Sequence, residues 1–207
     1  METKYAEKRK KAMKLYVVRH GQSENNLKKL FTGWTDAALT EKGIQDALGV
    51  REFLGRVKFD KVYASDLQRA KKTAETALPG YAYETTPLLR EIHLGKLENH
   101  PIEQCAEIFG EAFNEHRKTQ NYVPYGGEDR EMLDERAKKF LDMMAETEYS
   151  KVAAFAHGGM LKALCRNILG KTANTAGIRC PNCSILILDY DGNRWRMDSW
   201  LSPDTVL

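Results

Sequence analysis

The sequence predicts an α/β fold built on a largely parallel sheet, and two observations carry that expectation. Three short apolar or β-branched runs, LYVV at 15–18, VYA at 62–64 and VAAFA at 152–156, are each bounded by polar residues, as buried strands are. The stretches between them repeat at the helical period, and strands alternating with helices close into a layered fold whose neighbouring strands run parallel.

After the first run, Thr40 is a fit N-cap for a helix reaching to about residue 57, with Ile44, Ala47, Leu48 and Phe53 turned inward. A second helix covers 67–78 and stops before Pro79-Gly80. Ahead of the third run, Met132, Leu133, Ala137, Phe140, Leu141 and Met144 form the apolar stripe of another helix. Met160, Leu161, Leu164, Ile168 and Leu169 form a further stripe after it, closed by Gly170. Residues 184–190 and 194–199, joined through Asp191-Gly192-Asn193, predict a hairpin and hence an antiparallel edge strand. The stretch 98–127 carries Pro101, Gly110, Pro124 and the Gly126-Gly127 pair and fits neither strand nor long helix. It is expected to be an insertion able to lie over a site.

Composition narrows the function classes. A chain of 207 residues, 42% hydrophobic and 29% charged, can build a full core, which excludes collagen, coiled coil and disordered polymer. No apolar run approaches the ~18 residues of a membrane span, so no membrane partner is expected. The formal charge of +3 is uneven: residues 1–14 carry a local +4 and the remainder −1. Residues 1–12 are therefore expected to be a solvated basic tail and 13–207 one domain, with no nucleic-acid partner for so nearly neutral a body. The apolar stretch after the tail is too short for a secretory signal. Cys105, Cys165, Cys180 and Cys183 do not suggest a disulfide framework, and Cys180-Pro181-Asn182-Cys183 lacks the second pair or the histidines that a zinc site needs. Its plain reading is two thiols flanking a turn before a strand. Reduced thiols without an export signal point to the cytoplasm.

In open α/β sheets ligands bind beyond the carboxyl ends of the strands. Behind the first run stand Arg19-His20-Gly21-Gln22-Ser23-Glu24-Asn25-Asn26, behind the second Ser65-Asp66-Leu67-Gln68-Arg69, and behind the third His157-Gly158-Gly159. Each end presents a guanidinium or an imidazole, so Arg19, His20, Arg69 and His157 are expected to converge on one edge of the sheet as an anion pocket. Taken singly, a strand-end arginine is ordinarily solvated or ion-paired, and a lone histidine satisfies a local hydrogen bond. Three strand ends carrying such groups together point to function.

These residues also carry a resemblance. The run LYVVRHGQSENN at 15–26 resembles the signature of the histidine phosphatase superfamily, in the branch that includes phosphoglycerate mutases. Further matches follow in family order: Gly33-Trp34-Thr35-Asp36 with Leu39-Thr40-Glu41-Lys42-Gly43, Ala64-Ser65-Asp66-Leu67-Gln68-Arg69-Ala70 with Thr73-Ala74, Leu89-Arg90-Glu91, Gly126-Gly127-Glu128, and Ala156-His157-Gly158-Gly159. The resemblance implies a phosphoglycerate mutase-like three-layer sandwich, mostly parallel with an antiparallel edge strand and helices on both faces. It also implies covalent phosphoryl transfer. His20 would be the nucleophile, Arg19, Arg69 and His157 would hold the transferring oxygens, and Asn26 would add a neutral donor. Glu91 would be the general acid, a role that requires it to hold a proton near neutral pH. Gly21, Ser23, Thr32, Gly33 and Gly158 are expected to contact the substrate, a small phosphorylated metabolite. No metal or other cofactor is implied, since the cationic side chains can neutralise the charge. Without the resemblance, Glu91 reads as a surface carboxylate paired with Arg90. His93 is expected not to be catalytic, and His100 and His116 to be solvated.

One run departs from the family pattern. After the acid the family continues with Gly, an aromatic, Glu and Gly, whereas here Gly95-Lys96-Leu97-Glu98-Asn99 stands. Asn accepts left-handed φ, so the turn is expected to survive. Mutases of the family carry a longer insertion with an aromatic-Arg-Arg run, while 98–127 holds only His116-Arg117-Lys118 as a basic cluster. The expected function is therefore a metal-independent phosphomonoesterase, similar in size to α-ribazole phosphatases and broad-specificity phosphatases, as monomer or homodimer. The alternatives are a phosphoglycerate mutase and a non-catalytic binder of phosphorylated ligands.

Overall fold

The computed structural model describes residues 11–203, so most of the expected basic tail, residues 1–10, lies outside the described residues. In chain order the elements are β1 (Met13–Arg19), α1 (Glu24–Leu27), α2 (Glu41–Gly49), α3 (Arg51–Gly55), β2 (Lys61–Ala64), α4 (Gln68–Ala77), β3 (Glu84–Thr85), α5 (Cys105–Phe109), α6 (Ala112–Thr119), α7 (Arg130–Ala145), β4 (Lys151–Ala156), α8 (Gly158–Leu169), β5 (Ile185–Tyr190) and β6 (Trp195–Leu201). All six strands form one sheet in the order β3-β2-β4-β1-β5-β6. β1, β2, β3 and β4 are mutually parallel, and the hairpin adds two antiparallel strands, β5 against β1 and β6 at the edge.

The alternation of side chains along the strands makes the fold three-layered. Leu15, Val17, Val152, Ala154 and Leu188 face a core shared with Leu133, Phe140, Met144, Met160 and Leu164 of α7 and α8. Tyr16, Val18, Ala153, Phe155 and Ile187 face the opposite core, filled by Ala47, Leu54, Ala70 and Ala74 from the helices between β1 and β3. Burying a Leu or Phe completely is worth roughly 1.5–3 kcal/mol, so the fully buried Leu15, Leu54, Phe140 and Phe155 lock the layers to the sheet. α7 and α8 are further clamped by the buried Arg166, whose Nε donates to Asp134 Oδ1 at 2.9 Å.

Several expectations are corrected in detail. The helix expected from Thr40 to about residue 57 is two helices, α2 and α3, meeting at Val50, and Leu48 is exposed rather than inward. Met132 and Leu169 sit at the ends of their stripes and are likewise exposed. Residues 98–127 hold no strand and no long helix, as expected, but two short helices, α5 and α6, that had not been anticipated. This segment lies along the loop after β1, where Asn99 N donates to Phe31 O at 2.8 Å and Phe31 N to His100 O at 3.0 Å. The short strand β3 had no signal in the sequence.

Register decides where the chemistry falls. Arg19 lies beside Ala156, and Ala64 beside Phe155, so β1, β4 and β2 end at one level. The pairing continues one residue further, with His20 N donating to Ala156 O at 3.0 Å and Ser65 N to Phe155 O at 2.8 Å. The loops after all three strands therefore leave from the same edge.

Candidate active site

At that edge Arg19, His20, Asn26, Thr32, Gly33, Arg69 and Glu91 line one cleft of about 200 Å³, closed on its sides by Leu30, Phe31, Ile92, Leu94 and Tyr122. His20 is buried, and its two ring nitrogens meet opposite partners. Nδ1 lies 2.7 Å from the Gly21 carbonyl oxygen, which only accepts. Nε2 lies 3.3 Å from Arg69 Nε, which only donates. The neutral ring satisfies both when Nδ1 carries the proton and Nε2 keeps its lone pair. Burial first, then the Arg69 and Arg19 charges, hold its pKa well below the usual histidine value. The imidazole is thus neutral near pH 7, with its lone pair on Nε2.

Arg69 is fixed from three sides. Nη1 donates to Thr35 O and Nη2 to Gly33 O, both at 2.8 Å, while Nε reaches His20. Burial pulls its pKa down to about 10, so it remains charged at neutral pH. Arg19 donates through Nη1 to the Cys180 carbonyl oxygen, and its Nε is buried without a partner among the described residues. His157 is fully buried, its ring centroid 5.1 Å from that of His20, and both of its nitrogens are unpartnered among the described residues. Its pKa is held well below the ordinary value by burial, then by Arg69, His20 and Arg19. Buried polar atoms without partners are rare in native structures and need a reason. An oxyanion in the cleft would supply an acceptor for Arg19, which lines it, whereas the fully buried His157 is not among the lining residues.

Glu91 does not pair with Arg90. Arg90 instead makes a two-pronged contact with Asp66, at 2.8 and 2.6 Å, and lies over the Trp34 ring. The Glu91 carboxylate accepts from Ile92 N and from Gly159 N, both at 3.0 Å, the latter in the first turn of α8. Its carbonyl oxygen is held by Trp34 Nε1 at 2.7 Å and by Arg136 Nη2 at 2.9 Å. Glycine at 159 leaves room for this carboxylate, because a Cβ there would fall 2.1 Å from Glu91 Oε1 and push it aside.

The remaining expected residues divide. Asn26 closes a capping box with Ser23, and its Oδ1 also accepts from Asn182 Nδ2 at 3.2 Å, leaving the Asn26 amide nitrogen as the donor end. Ser23 and Gly21 do not line the cleft. Ser23 caps α1, and Gly21 N donates to Thr73 Oγ1 at 3.0 Å. Gly158 adjoins Arg19, with room for a Cβ only 3.4 Å from its Nε. His93 stacks on Trp34, His100 packs edge-on against Phe109, and His116 meets the Tyr125 hydroxyl, so none of the three lines the cleft. Asn99 has φ +67°, the left-handed turn expected of it, and links Asn25 to Thr35 through its side chain. Beside it, Glu98 accepts from Trp34 N and Thr35 Oγ1 at 2.8 Å, bracing the loop that holds Arg69.

Sequence reasoning missed the parts played by four residues. Asn182 Nδ2 donates to His20 O at 2.9 Å, and Cys183 N to Arg19 O at 3.1 Å, so the turn at 180–183 buttresses the end of β1. Arg136 binds Glu128, Arg90 O and Glu91 O together. Its signal was present, since it falls on the inward stripe of α7 where a leucine would be ordinary. Tyr122 lines the cleft from the 98–127 segment, and nothing in its local pattern marks it. Among the described residues no group of three or more His, Cys, Asp or Glu is placed to hold a metal, and no helix is long and apolar enough to cross a membrane.

Fold and site together define an α/β protein with a centre of histidine and guanidinium groups at the strand ends. The chain belongs to the histidine phosphatase superfamily, branch 1, whose profile it matches over residues 15–203. It is 32% identical over 196 residues to a protein of Erwinia tasmaniensis named "Probable phosphoglycerate mutase GpmB", covering 91% of this chain and 90% of that one. A mycobacterial glucosyl-3-phosphoglycerate phosphatase superposes with a TM-score of 0.79 at 29% identity, over 91% of this chain and 98% of its own. The phosphoglycerate mutase of Bacillus anthracis shares the fold, with a TM-score of 0.83 at 23% identity over 96% of each chain.

Proposed function

We propose that the protein is a metal-independent phosphomonoesterase that hydrolyses a small phosphorylated metabolite through a phosphohistidine at His20. The observation that supports this most directly is the opposed pairing of the His20 ring, with Nδ1 on Gly21 O and Nε2 facing Arg69. Nε2 attacks phosphorus in line, and Arg19, Arg69, His157 and the Asn26 amide take the charge on the transferring oxygens. The ester P–O bond breaks as Glu91 gives its proton to the leaving oxygen. In the second half Glu91 takes a proton from water, the water attacks phosphorus, and the N–P bond breaks to release phosphate and neutral His20.

Isomerisation of a phosphoglycerate is the second reading, favoured by the mutase name of the 32% identical relative. Both readings share the phosphohistidine and differ in its fate. The deciding experiment measures phosphate release, with EDTA present, from p-nitrophenyl phosphate, 3-phosphoglycerate, sugar phosphates and α-ribazole phosphate. Isomerisation of 3-phosphoglycerate with added 2,3-bisphosphoglycerate is followed in parallel. Phosphate release without isomerisation is the expected result, and isomerisation faster than release would replace the phosphatase with the mutase. Silence in both would leave a protein that binds phosphorylated ligands without turning them over.

A further inference from the structure

A second concave surface adjoins the catalytic cleft. It is a pocket of about 530 Å³ between the end of α6, the start of α7, α8 and the loop at 174–176. Arg117, Lys118, Arg130 and Lys162 supply four cations to its wall, Asn174 and Thr175 add neutral polar groups, and no Asp or Glu lines it. It shares one wall with the site already described. Tyr122 lines both this pocket and the catalytic cleft, and Arg117 also lines the groove that holds Arg19 and Asn26. Burial pushes the Tyr122 phenol up to about 12, so a neutral hydroxyl stands at the junction.

The charge in this pocket is poorly neutralised by the protein. Lys162 is half-buried, and among the described residues neither it nor Arg117 has a carboxylate within 4 Å. Arg130 donates to Lys171 O at 2.8 Å and comes only to 4.0 Å from Asp134, a carboxylate already occupied by Arg166. The Lys118 contact with Glu115, at 3.8 Å on the exposed surface, is of the kind worth little. Like charges gathered in a concavity without a counter-charge repel one another and favour an anion there.

We propose that this pocket binds a second anionic group, a carboxylate or a phosphate, carried by the same molecule whose phosphoryl group reaches His20. This rests on the phosphatase reading and narrows its substrate class to phosphate esters bearing a second, distal anion. The small catalytic cleft holds the phosphoryl group and the first atoms of the alcohol, and the rest of the molecule passes Tyr122 to reach Arg117 and Lys162.

The test uses the full chain and phosphate esters of stepped alkyl length, each prepared with a hydroxyl, a carboxylate or a second phosphate at the far end, with p-nitrophenyl phosphate as the single-anion reference. At one or more lengths the second anion should raise kcat/KM by about tenfold over the hydroxyl ester, chiefly through KM. In the Arg117→Gln/Lys162→Gln variant that preference should fall to near unity while p-nitrophenyl phosphate turnover stays within about twofold. Whether the carboxylate or phosphate series responds identifies the group. Equal kcat/KM for hydroxyl and anionic esters at every length, or a preference that survives in the variant, overturns the proposal and leaves the phosphatase standing. If no ester at all is hydrolysed the phosphatase reading fails instead, and calorimetric binding of the same esters decides the pocket: affinity gained from the second anion and lost in the variant supports it, and equal affinities overturn it.

Discussion

Arg69 Nε lies 3.3 Å from His20 Nε2 and donates toward it, so the guanidinium both positions the imidazole and keeps a proton off the nitrogen that would attack phosphorus. A cation beside a nucleophile lowers its basicity, yet here the same cation is placed to receive the phosphate oxygens once the nucleophile engages. His20→Ala should lower turnover by at least ~10³-fold and abolish acid-labile phosphate on the protein, read by rapid quench with a labelled substrate. A labelled, active His20→Ala protein would remove His20 from the mechanism.

Arg69→Lys is not a conservative change. A single ammonium cannot hold Thr35 O, Gly33 O and His20 Nε2 at once. We expect kcat/KM for p-nitrophenyl phosphate to fall by roughly 10²-fold, the scale of losing one charge-stabilising contact in the transition state. A loss under about threefold would mean that the guanidinium fork is dispensable.

Glu91→Gln separates the leaving groups. Alkyl phosphates, which need a proton on departure, should slow by roughly 10²-fold, and p-nitrophenyl phosphate by less than about tenfold. Gly159→Ala should shift the same ratio in the same direction, because its Cβ displaces the Glu91 carboxylate. Equal slowing of both substrate types in Glu91→Gln would take Glu91 out of the acid role.

Two buried neutral histidines set the pH dependence of stability. The folded pKa values of His20 and His157 lie well below 6.5, so below about pH 6.5 the unfolded chain takes up protons that the folded chain refuses. Stability is therefore full above that pH and is lost as pH falls, by up to ~1.4 kcal/mol per unit for each histidine. Urea midpoints at about pH 7.5 and about pH 5.5 measure this, and His157→Asn should flatten the slope. A midpoint unchanged over that interval would contradict the burial of both rings.

Asn182 supports the site without lining the catalytic cleft. Asn182→Ala removes the donor to His20 O and Asn26 Oδ1 and should cost about 1 kcal/mol in stability and about fivefold in kcat/KM. Wild-type kinetics with unchanged urea midpoints would reduce the 180–183 turn to a connector.

The strands β1, β2 and β4 were legible because fully buried strands are continuous apolar runs, and helix α8 because its stripe repeats cleanly. Leu48, Met132 and Leu169 were misjudged because periodicity marks a face without saying where its edge meets solvent. α5 and α6 were missed because both are short and lie in a stretch broken by Pro101, Gly110 and Pro124. The C-P-N-C turn looked inert since its partners, Arg19 and His20, lie on a strand about 160 residues earlier.

By itself the amino-acid sequence determined which groups stand at the strand ends, Arg19 with His20, Arg69 and His157, because these follow from local pattern, while the left-handed turn at Asn99 was expected from the glycine that the family resemblance puts there. Only the tertiary structure decided how those groups act. The tautomer of His20, the donor end of Asn26, the freeing of Glu91 from Arg90 and the meeting of Arg117 with Lys162 all depend on contacts between segments far apart in the chain. A hydrogen bond is directional and short-ranged, so it is set only when packing brings its two ends together.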